Sequence, residues 1–229
     1  MVFRAPGRTI LGGVKSTPEL QLGRILSKRV CTVDYDFTGY RQYGLPQQSA
    51  NVGIVPRNTF YYKDKNTDLY APVLAIEVES VSSGTEFSVA HPDGAKIPAG
   101  AVLRLWDDSS KTFIDLNSSS EDVVVSSVTN GTTIDTITLG SSFSTAVESS
   151  DMVLIGHGVE NIEDWVIFDQ EVDLRADAAP TAISANFSNS FVYSGRVNSP
   201  AIPQWRQFRN TLQSHIRQNV GRLNIDDVK

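Results

Sequence analysis

The three histidines are the first candidates for catalysis or metal binding. His91, His157 and His215 are far apart in the chain, and none has a second ligand at the spacing that zinc sites prefer. His157 lies between two glycines after an apolar run, which is typical of the end of a strand. The only cysteine, Cys31, has no histidine or aspartate beside it and lies in a strand-like run. We therefore predict a buried thiol without a reactive role.

A glycine-rich segment near the start suggests a phosphate loop at first inspection. Residues 7–16 contain spaced glycines followed by Lys15 and Ser16. A phosphate loop needs its lysine directly after the second glycine, because the ammonium group and the backbone amides must converge on the phosphates. Gly13 and Val14 intervene here, so the sequence predicts no such loop.

Two groups of acidic residues could suggest a calcium site: Asp107-Asp108 with Asp115, and Glu163-Asp164 with Asp169. Both groups lack the alternating acids and the glycine of an EF-hand loop, so we predict carboxylates of solvated turns. The chain also has no nucleophile elbow. The sequence thus predicts no catalytic residue, no metal and no cofactor. A hydrolase whose paired carboxylates meet only in three dimensions stays an alternative.

Charge is distributed unevenly along the 229 residues, whose net charge is −6. Residues 1–30 contain six basic residues and one acid, whereas residues 81–180 contain four basic residues and seventeen acids. A nucleic-acid binder is usually basic overall, so the composition favours a protein partner for the basic end. The first residues lack the apolar stretch of a signal peptide, and no run approaches ~18 apolar residues, so we expect no membrane contact.

Hydrophobic periodicity predicts a β body over residues 73–200. Leu74, Ile76 and Val78 alternate with polar or small residues, which is the period of a half-buried strand. The further predicted strands are 85–90, 101–106, 111–116, 122–128, 132–139, 152–155, 165–168, 171–175 and 187–197. Asn130-Gly131 predicts a two-residue hairpin turn, because both positions must accept positive φ. Such short spacing predicts a small antiparallel barrel or sandwich.

The segments on either side of this body differ from it in composition. Residues 1–29 contain glycines and prolines and predict an extended basic arm. Residues 30–72 predict irregular structure with short strands, and their tyrosines are typical either of an interface or of a domain edge. Residues 201–229 predict an amphipathic helix over 201–222, followed by a tail.

The apolar face of this helix can have two different partners. Trp205, Phe208, Leu212 and Ile216 recur every three or four residues. Such a stripe packs either on the chain's own core or on a neighbouring subunit, and the sequence leaves both open.

One stretch resembles the small β domains of tailed-bacteriophage virion proteins, such as head decoration (cement) proteins and accessory domains of capsid and tail proteins. In residues 96–104, Lys-Ile-Pro-Ala-Gly-Ala-Val-Leu-Arg, a turn launches a strand. Residues 150–156, Ser-Asp-Met-Val-Leu-Ile-Gly, form an Asp-led closing strand. The resemblance covers about residues 85–175. It implies a non-enzymatic structural protein located in the virion, which is assembled in the host cytoplasm and has arms that clip neighbouring subunits.

Within that class a head decoration or cement protein is favoured over a tail, neck or baseplate component. The implied partners are the major capsid protein or other virion proteins, together with further copies of the chain. Nucleic acid is disfavoured. A carbohydrate- or surface-binding β module, using the aromatics of residues 35–70, is a second alternative. The predicted interface residues are Arg4, Arg8, Ile10, Leu11, Lys15, Arg24, Trp205, Arg206, Phe208, Arg209, Leu212 and Ile216.

Overall fold

The computed structural model describes residues 22–33, 54–173, 187–198, 202–203, 208, 211–219 and 223–226. These residues are mainly β, which confirms the predicted fold class. The strands are β1 (Leu22–Val33), β2 (Ile54–Val55), β3 (Phe60–Lys63), β4 (Tyr70–Pro72), β5 (Ala75–Ser83), β6 (Glu86–Ala90), β7 (Val102–Asp107), β8 (Thr112–Ile114), β9 (Val123–Thr129), β10 (Ile134–Leu139), β11 (Met152–Ile155), β12 (Val166–Ile167), β13 (Val172–Asp173), β14 (Phe187–Asn198) and β15 (Leu223–Asp226). The helical elements are α1 (Gln213–Asn219) and the 3-10 helices Gly94–Lys96 and Ile162–Asp164.

Six of the strands close into an antiparallel barrel. Strand β5 pairs with β6, β6 with β10, β10 with β9, β9 with β7, β7 with β11, and β11 returns to β5. Strand β8 adds to the second half of β7. Alternate side chains fill the interior, as Ile76 and Val78 do from β5 and Leu103 and Leu105 from β7. The alternation read from the sequence is therefore the barrel's interior face.

Strand β11 is apolar on both faces because it separates two cores. Val153 and Ile155 belong to the cluster that fills the barrel, whereas Met152 and Leu154 belong to a second cluster outside it. Neither face meets water, which explains the uninterrupted run Met-Val-Leu-Ile. The second cluster also contains Trp165, whose indole N–H donates to the carbonyl oxygen of Val159 at 3.0 Å.

A second sheet covers this outer cluster. Its strand order is β1-β4-β3-β12-β14-β15, and β1 also pairs with β14. The β1–β14 pair is antiparallel and runs from Leu22 opposite Val197 to Val33 opposite Phe187. Strands β2 and β13 form a separate two-stranded pair. Cys31 of β1 is buried, as predicted.

The predicted boundary of the N-terminal arm is wrong. Residues 22–29 belong to β1, which pairs with β14, so the predicted arm can include only residues 1–21, which lie outside the described residues. Register shifts interrupt the pairing between Leu22 and Lys28, so these residues do not alternate regularly. Strand β1 pairs with residues that lie more than 150 positions away in the sequence, which no local pattern could indicate.

The aromatic residues of β3 and β4 form core rather than surface. Phe60, Tyr61, Tyr62 and Tyr70 are all buried. Phe60 and Tyr62 face the outer cluster, and Tyr61 contacts the Phe191 ring at a centroid distance of 5.0 Å. An interface role for these four is therefore wrong, because the chain's own sheets cover them. The other aromatics of this segment, Tyr35, Phe37, Tyr40 and Tyr43, lie outside the described residues.

The C-terminal segment differs from the predicted single helix. Phe208 is helical as predicted, but residues 211–212 form a turn before α1 (Gln213–Asn219), and the predicted tail contains β15, which is parallel to β14. Leu223 and Ile225 of β15 are buried in the outer cluster. Burial of these two side chains and pairing with β14 stabilise the segment at the edge of the second sheet. No helix in the described part of the chain has the length and apolar character that crossing a bilayer requires.

Most predicted strands of the body are confirmed, but the turn at Asn130-Gly131 is longer than predicted. Strand β9 ends at Thr129 and β10 begins at Ile134, so four residues connect them, and the first pair of the two strands is Thr129 opposite Thr136. The Gly131 amide donates to the carboxylate of Asp135 in β10 at 3.0 Å. This bond holds the loop against β10.

Candidate interaction surfaces

A buried arginine lies at the centre of the main polar cluster. Arg104 is only 4% exposed. Its Nη1 donates to the carbonyl oxygens of Leu103 at 3.3 Å and Asp115 at 3.1 Å, and its Nη2 donates to Asp122 Oδ1 at 3.0 Å. Its Nε lies 3.5 Å from Glu160 Oε2. A buried cation needs such partners, because removing a charge from water costs several kcal/mol.

The rim of this cluster is also paired. His157 Nδ1 lies 3.3 Å from Asp122 Oδ2, and Lys65 forms an ion pair with Glu160. The cluster joins β7 to the loop between β8 and β9 and to the loop after β11. Its carboxylates are held by Arg104 and Lys65 and serve to fasten these loops. The sequence pointed to none of these pairs, because their members come from distant parts of the chain.

His91 has a structural contact rather than a metal partner. Its Nδ1 lies 2.9 Å from Asp135 Oδ1, and Asp135 is completely buried. The same carboxylate accepts hydrogen bonds from the backbone amides of Gly131 and Ala95. Asp135 was missed by the sequence analysis, although a signal existed, since it alternates with core residues at an inward position of β10. It fastens two loops at one end of the barrel.

Asp107 is not a solvated turn carboxylate, contrary to the prediction. It is 6% exposed, and its oxygens accept hydrogen bonds from the amides and hydroxyls of Ser109 and Ser110, with distances of 2.7–3.1 Å. These hydroxyl bonds, helped by the amide bonds, lower the pKa of Asp107 to about 2. The carboxylate thus organises the turn between β7 and β8.

Asp151 fixes a second turn beside the first. Its Oδ1 accepts from the Asp108 amide at 3.0 Å and its Oδ2 from the Glu148 amide at 2.8 Å. Burial raises the pKa of Asp151. Among the described residues, no group of three or more histidine, cysteine or acidic side chains is arranged to hold a metal ion.

The predicted interface residues fall into two groups. Phe208, Leu212 and Ile216 are 2%, 0% and 0% exposed and belong to the outer cluster. Their interface role is corrected, because the chain's own body covers this stripe. Arg24 lies in β1. The remaining predicted residues, Arg4, Arg8, Ile10, Leu11, Lys15, Trp205, Arg206 and Arg209, lie outside the described residues.

The β5–β6 hairpin presents an acidic outer face, which the sequence analysis had not located. Glu77, Glu79 and Glu148 are exposed and Glu86 is partly exposed. No described residue forms an ion pair with any of the four. Val81, 38% exposed, adds an apolar contact point to the same hairpin.

Strand β1 carries two basic residues, Lys28 and Arg29, beside an exposed valine. Lys28 forms an ion pair with Asp169 at 3.0 Å. The Arg29 guanidinium lies over the rings of Tyr70 and Tyr193, at 5.7 and 5.5 Å from their centroids. Val30 is 73% exposed beside them.

Comparison of the chain with protein-family models, with curated proteins and with solved structures finds no match.

Proposed function

We propose that this chain is a structural component of a tailed-phage particle, of the head decoration or cement type, which contacts neighbouring subunits through its basic N-terminal arm. The resemblance that suggested this class spans residues 85–175. The closed barrel runs from Ala75 to Ile155 and so overlaps this stretch over residues 85–155. A compact barrel of this size suits a protein whose role is to bind a surface and hold it.

The proposal is supported most directly by the hydrogen bonds that four buried polar residues make to the loops of the barrel. Arg104, Asp107, Asp135 and Asp151 are each buried, and each holds a loop of the barrel through several hydrogen bonds. Such bonds favour one fixed arrangement of the loops, because breaking any of them leaves a buried polar group unpaired. A rigid body with firmly held loops is what repeated contacts in a particle require.

The proposal is narrower than the one drawn from sequence. The C-terminal stripe of Phe208, Leu212 and Ile216 is buried in the chain's own core, so the arm alone is left to clip a neighbour. A deletion that tests the arm must end at residue 21, because removing residues 22–29 would remove most of β1 and its pairing with β14. The carbohydrate-binding alternative loses the four aromatics that the core encloses.

The test is incorporation into particles. Tagged full-length chain and a variant lacking residues 1–21 are expressed in the phage-producing host, and heads, tails and intact virions are separated on density gradients. Mass spectrometry then counts copies of the chain per particle. We expect the full-length chain in heads at a fixed ratio to the capsid protein. The shortened chain should stay in the soluble fraction with an unchanged far-ultraviolet circular dichroism spectrum.

Other outcomes would change the proposal in defined ways. Full-length chain in tails alone would move it to the neck or tail class. Its absence from all particles would refute a structural role in the virion. Equal incorporation of the shortened chain would refute the role of the arm while leaving the particle assignment intact.

A further inference from the structure

We propose that the outer face of the β5–β6 hairpin binds the basic N-terminal segment, residues 1–21, of a second copy of this chain. This inference rests on the proposed function, since it names the partner of the arm. It concerns an exposed sheet face with an uncompensated charge and a segment of the same chain with the opposite charge.

The tip of the β5–β6 hairpin is not covered by the rest of the barrel. In β5, Val78 is buried in the barrel, but every residue from Glu79 to Gly84 is exposed, so neither face of the strand's second half is covered. Glu77 and Glu79 flank Val78 and lie on the opposite, outer face, about 7 Å apart along the strand. The outer face of the hairpin is thus open to a partner.

The loop before β11 carries a third exposed glutamate next to this hairpin. The Ser150 amide donates to the carbonyl oxygen of Val78, and the Ser149 hydroxyl donates to that of Glu79, each at 2.9 Å. These two bonds hold the loop against β5, and Glu148 directly precedes the bonded residues. None of the three exposed glutamates, Glu77, Glu79 and Glu148, has an ion-pair partner among the described residues.

Residues 1–21 have the composition that this face would bind. They carry Arg4, Arg8 and Lys15 against one acid, Glu19, together with the apolar pair Ile10-Leu11. The three cations match in number the three exposed glutamates, Glu77, Glu79 and Glu148. Charge pairing of this kind sets specificity and orientation more than it sets affinity.

The geometry of the tether permits contact between copies. The segment joins the body at Leu22 of β1, in the second sheet rather than beside the hairpin. Twenty-one extended residues reach up to about 70 Å, which is enough to cross to a neighbour. Each copy then gives one arm and receives one arm, and such head-to-tail contacts close into rings or continue along a surface.

The experiment exchanges the charges of the two surfaces in the full-length chain. An arm variant carries Arg4→Glu, Arg8→Glu and Lys15→Glu, and a face variant carries Glu77→Lys, Glu79→Lys and Glu148→Lys. A control variant carries Glu121→Lys, Glu163→Lys and Glu171→Lys, which are exposed glutamates elsewhere on the surface and give the same net charge as the face variant. Sedimentation velocity measures the mass of each over a range of concentration and salt.

We expect the wild-type and control chains to self-associate above the 25.1 kDa monomer. Raising the salt from about 0.05 M to 0.5 M should weaken the association about tenfold, since exposed charges are screened. The arm and face variants should each be monomeric alone, because arm and face then carry the same charge. Mixing the two variants should restore association, since each arm meets an oppositely charged face on the other chain.

Several results would overturn the inference: a wild-type chain that stays monomeric, a face variant that associates as well as the control, or a mixture that fails to associate. A monomer whose frictional ratio rises with salt would indicate docking on the chain's own hairpin and would also overturn it. Particle incorporation without self-association would refute this inference alone. Self-association without incorporation would refute only the proposed function.

Discussion

Replacing Leu212 by alanine tests whether the C-terminal segment belongs to the body of the protein. Leu212 is fully buried, as is Ile216 one turn later, and the Ile216 amide donates to the Leu212 carbonyl oxygen at 2.8 Å. The segment is anchored by Phe208, whose ring lies 5.8 Å from that of Phe60 and 6.2 Å from that of Trp165. Leu212 belongs to the same buried cluster as these three rings.

The expected loss of stability follows from this packing. Leucine-to-alanine substitutions in cores cost about 2–5 kcal/mol, with the higher values where neighbours cannot close the cavity. Aromatic neighbours resist collapse, but a segment near the chain end can shift inward, so we expect about 3 kcal/mol. For a domain of this size each kcal/mol lowers Tm by about 2–4 °C, which gives a fall of about 6–12 °C.

The assay is urea unfolding followed by circular dichroism, with thermal unfolding as a second measure. Ser214→Ala is the matched control, because Ser214 is exposed in the same helix and alanine is the better helix former. It should leave stability unchanged within about 0.5 kcal/mol. Equal stability of the two variants would refute the reasoning. The buried stripe would then not be docked on this chain's core, and a neighbouring subunit would again be its partner.

Three further predictions concern the polar groups and one glycine. Asp107→Ala should cost about 2 kcal/mol at neutral pH, from the difference between an ordinary pKa of 3.8 and about 2. Because the pKa of Asp107 is lower in the folded state, this contribution to stability is complete above about pH 4 and disappears as the pH falls through 2. Wild type and variant should therefore be equally stable in acid. A difference in stability that stays constant across this pH range would show that the Asp107 carboxylate does not stabilise the turn. Arg104→Met should cost about 1–3 kcal/mol in urea unfolding, since it leaves the carbonyl oxygens of Leu103 and Asp115 without their donor and Glu160 without its buried cation, and an unchanged stability would show that the cluster is not holding its loops. Gly156→Ala should lower Tm clearly, because Gly156 has φ of +121° and an added Cβ would lie 1.6 Å from the Tyr62 hydroxyl; an unchanged Tm would mean that the two segments are not in contact.

Lowering the pH should change the contribution of Asp151 to folding stability in the opposite direction to that of Asp107. Its folded pKa is raised by burial, so its contribution favours folding below the ordinary pKa of 3.8 and is lost as the pH rises through the folded value. The change in folding stability on acidification is therefore the sum of two opposite contributions, one from each of two adjacent turns. Comparing the pH profiles of the Asp107→Ala variant and the wild type isolates the first term.

The strands of the barrel could be predicted because their signals are local. Residues such as Ile76 and Val78 alternate within one strand, and turn residues separate that strand from the next. Each barrel strand also pairs with strands within the stretch 75–155, so local order and final pairing agree. The same locality made the body's β class and its barrel or sandwich form predictable.

Everything that depends on distant partners was decided by the tertiary structure. The pairing of β1 with β14, the strand β15 and the burial of the C-terminal stripe join residues far apart in sequence, and a single chain carries no local signal of which residues will meet. The contacts of Arg104 and Asp151 have the same origin. Sequence alone determined where the strands of the barrel form and how charge is distributed along the chain. Only the folded arrangement decided which charges are buried in pairs and which, like those of Glu77 and Glu79, remain on the surface, because burial depends on what the rest of the chain covers.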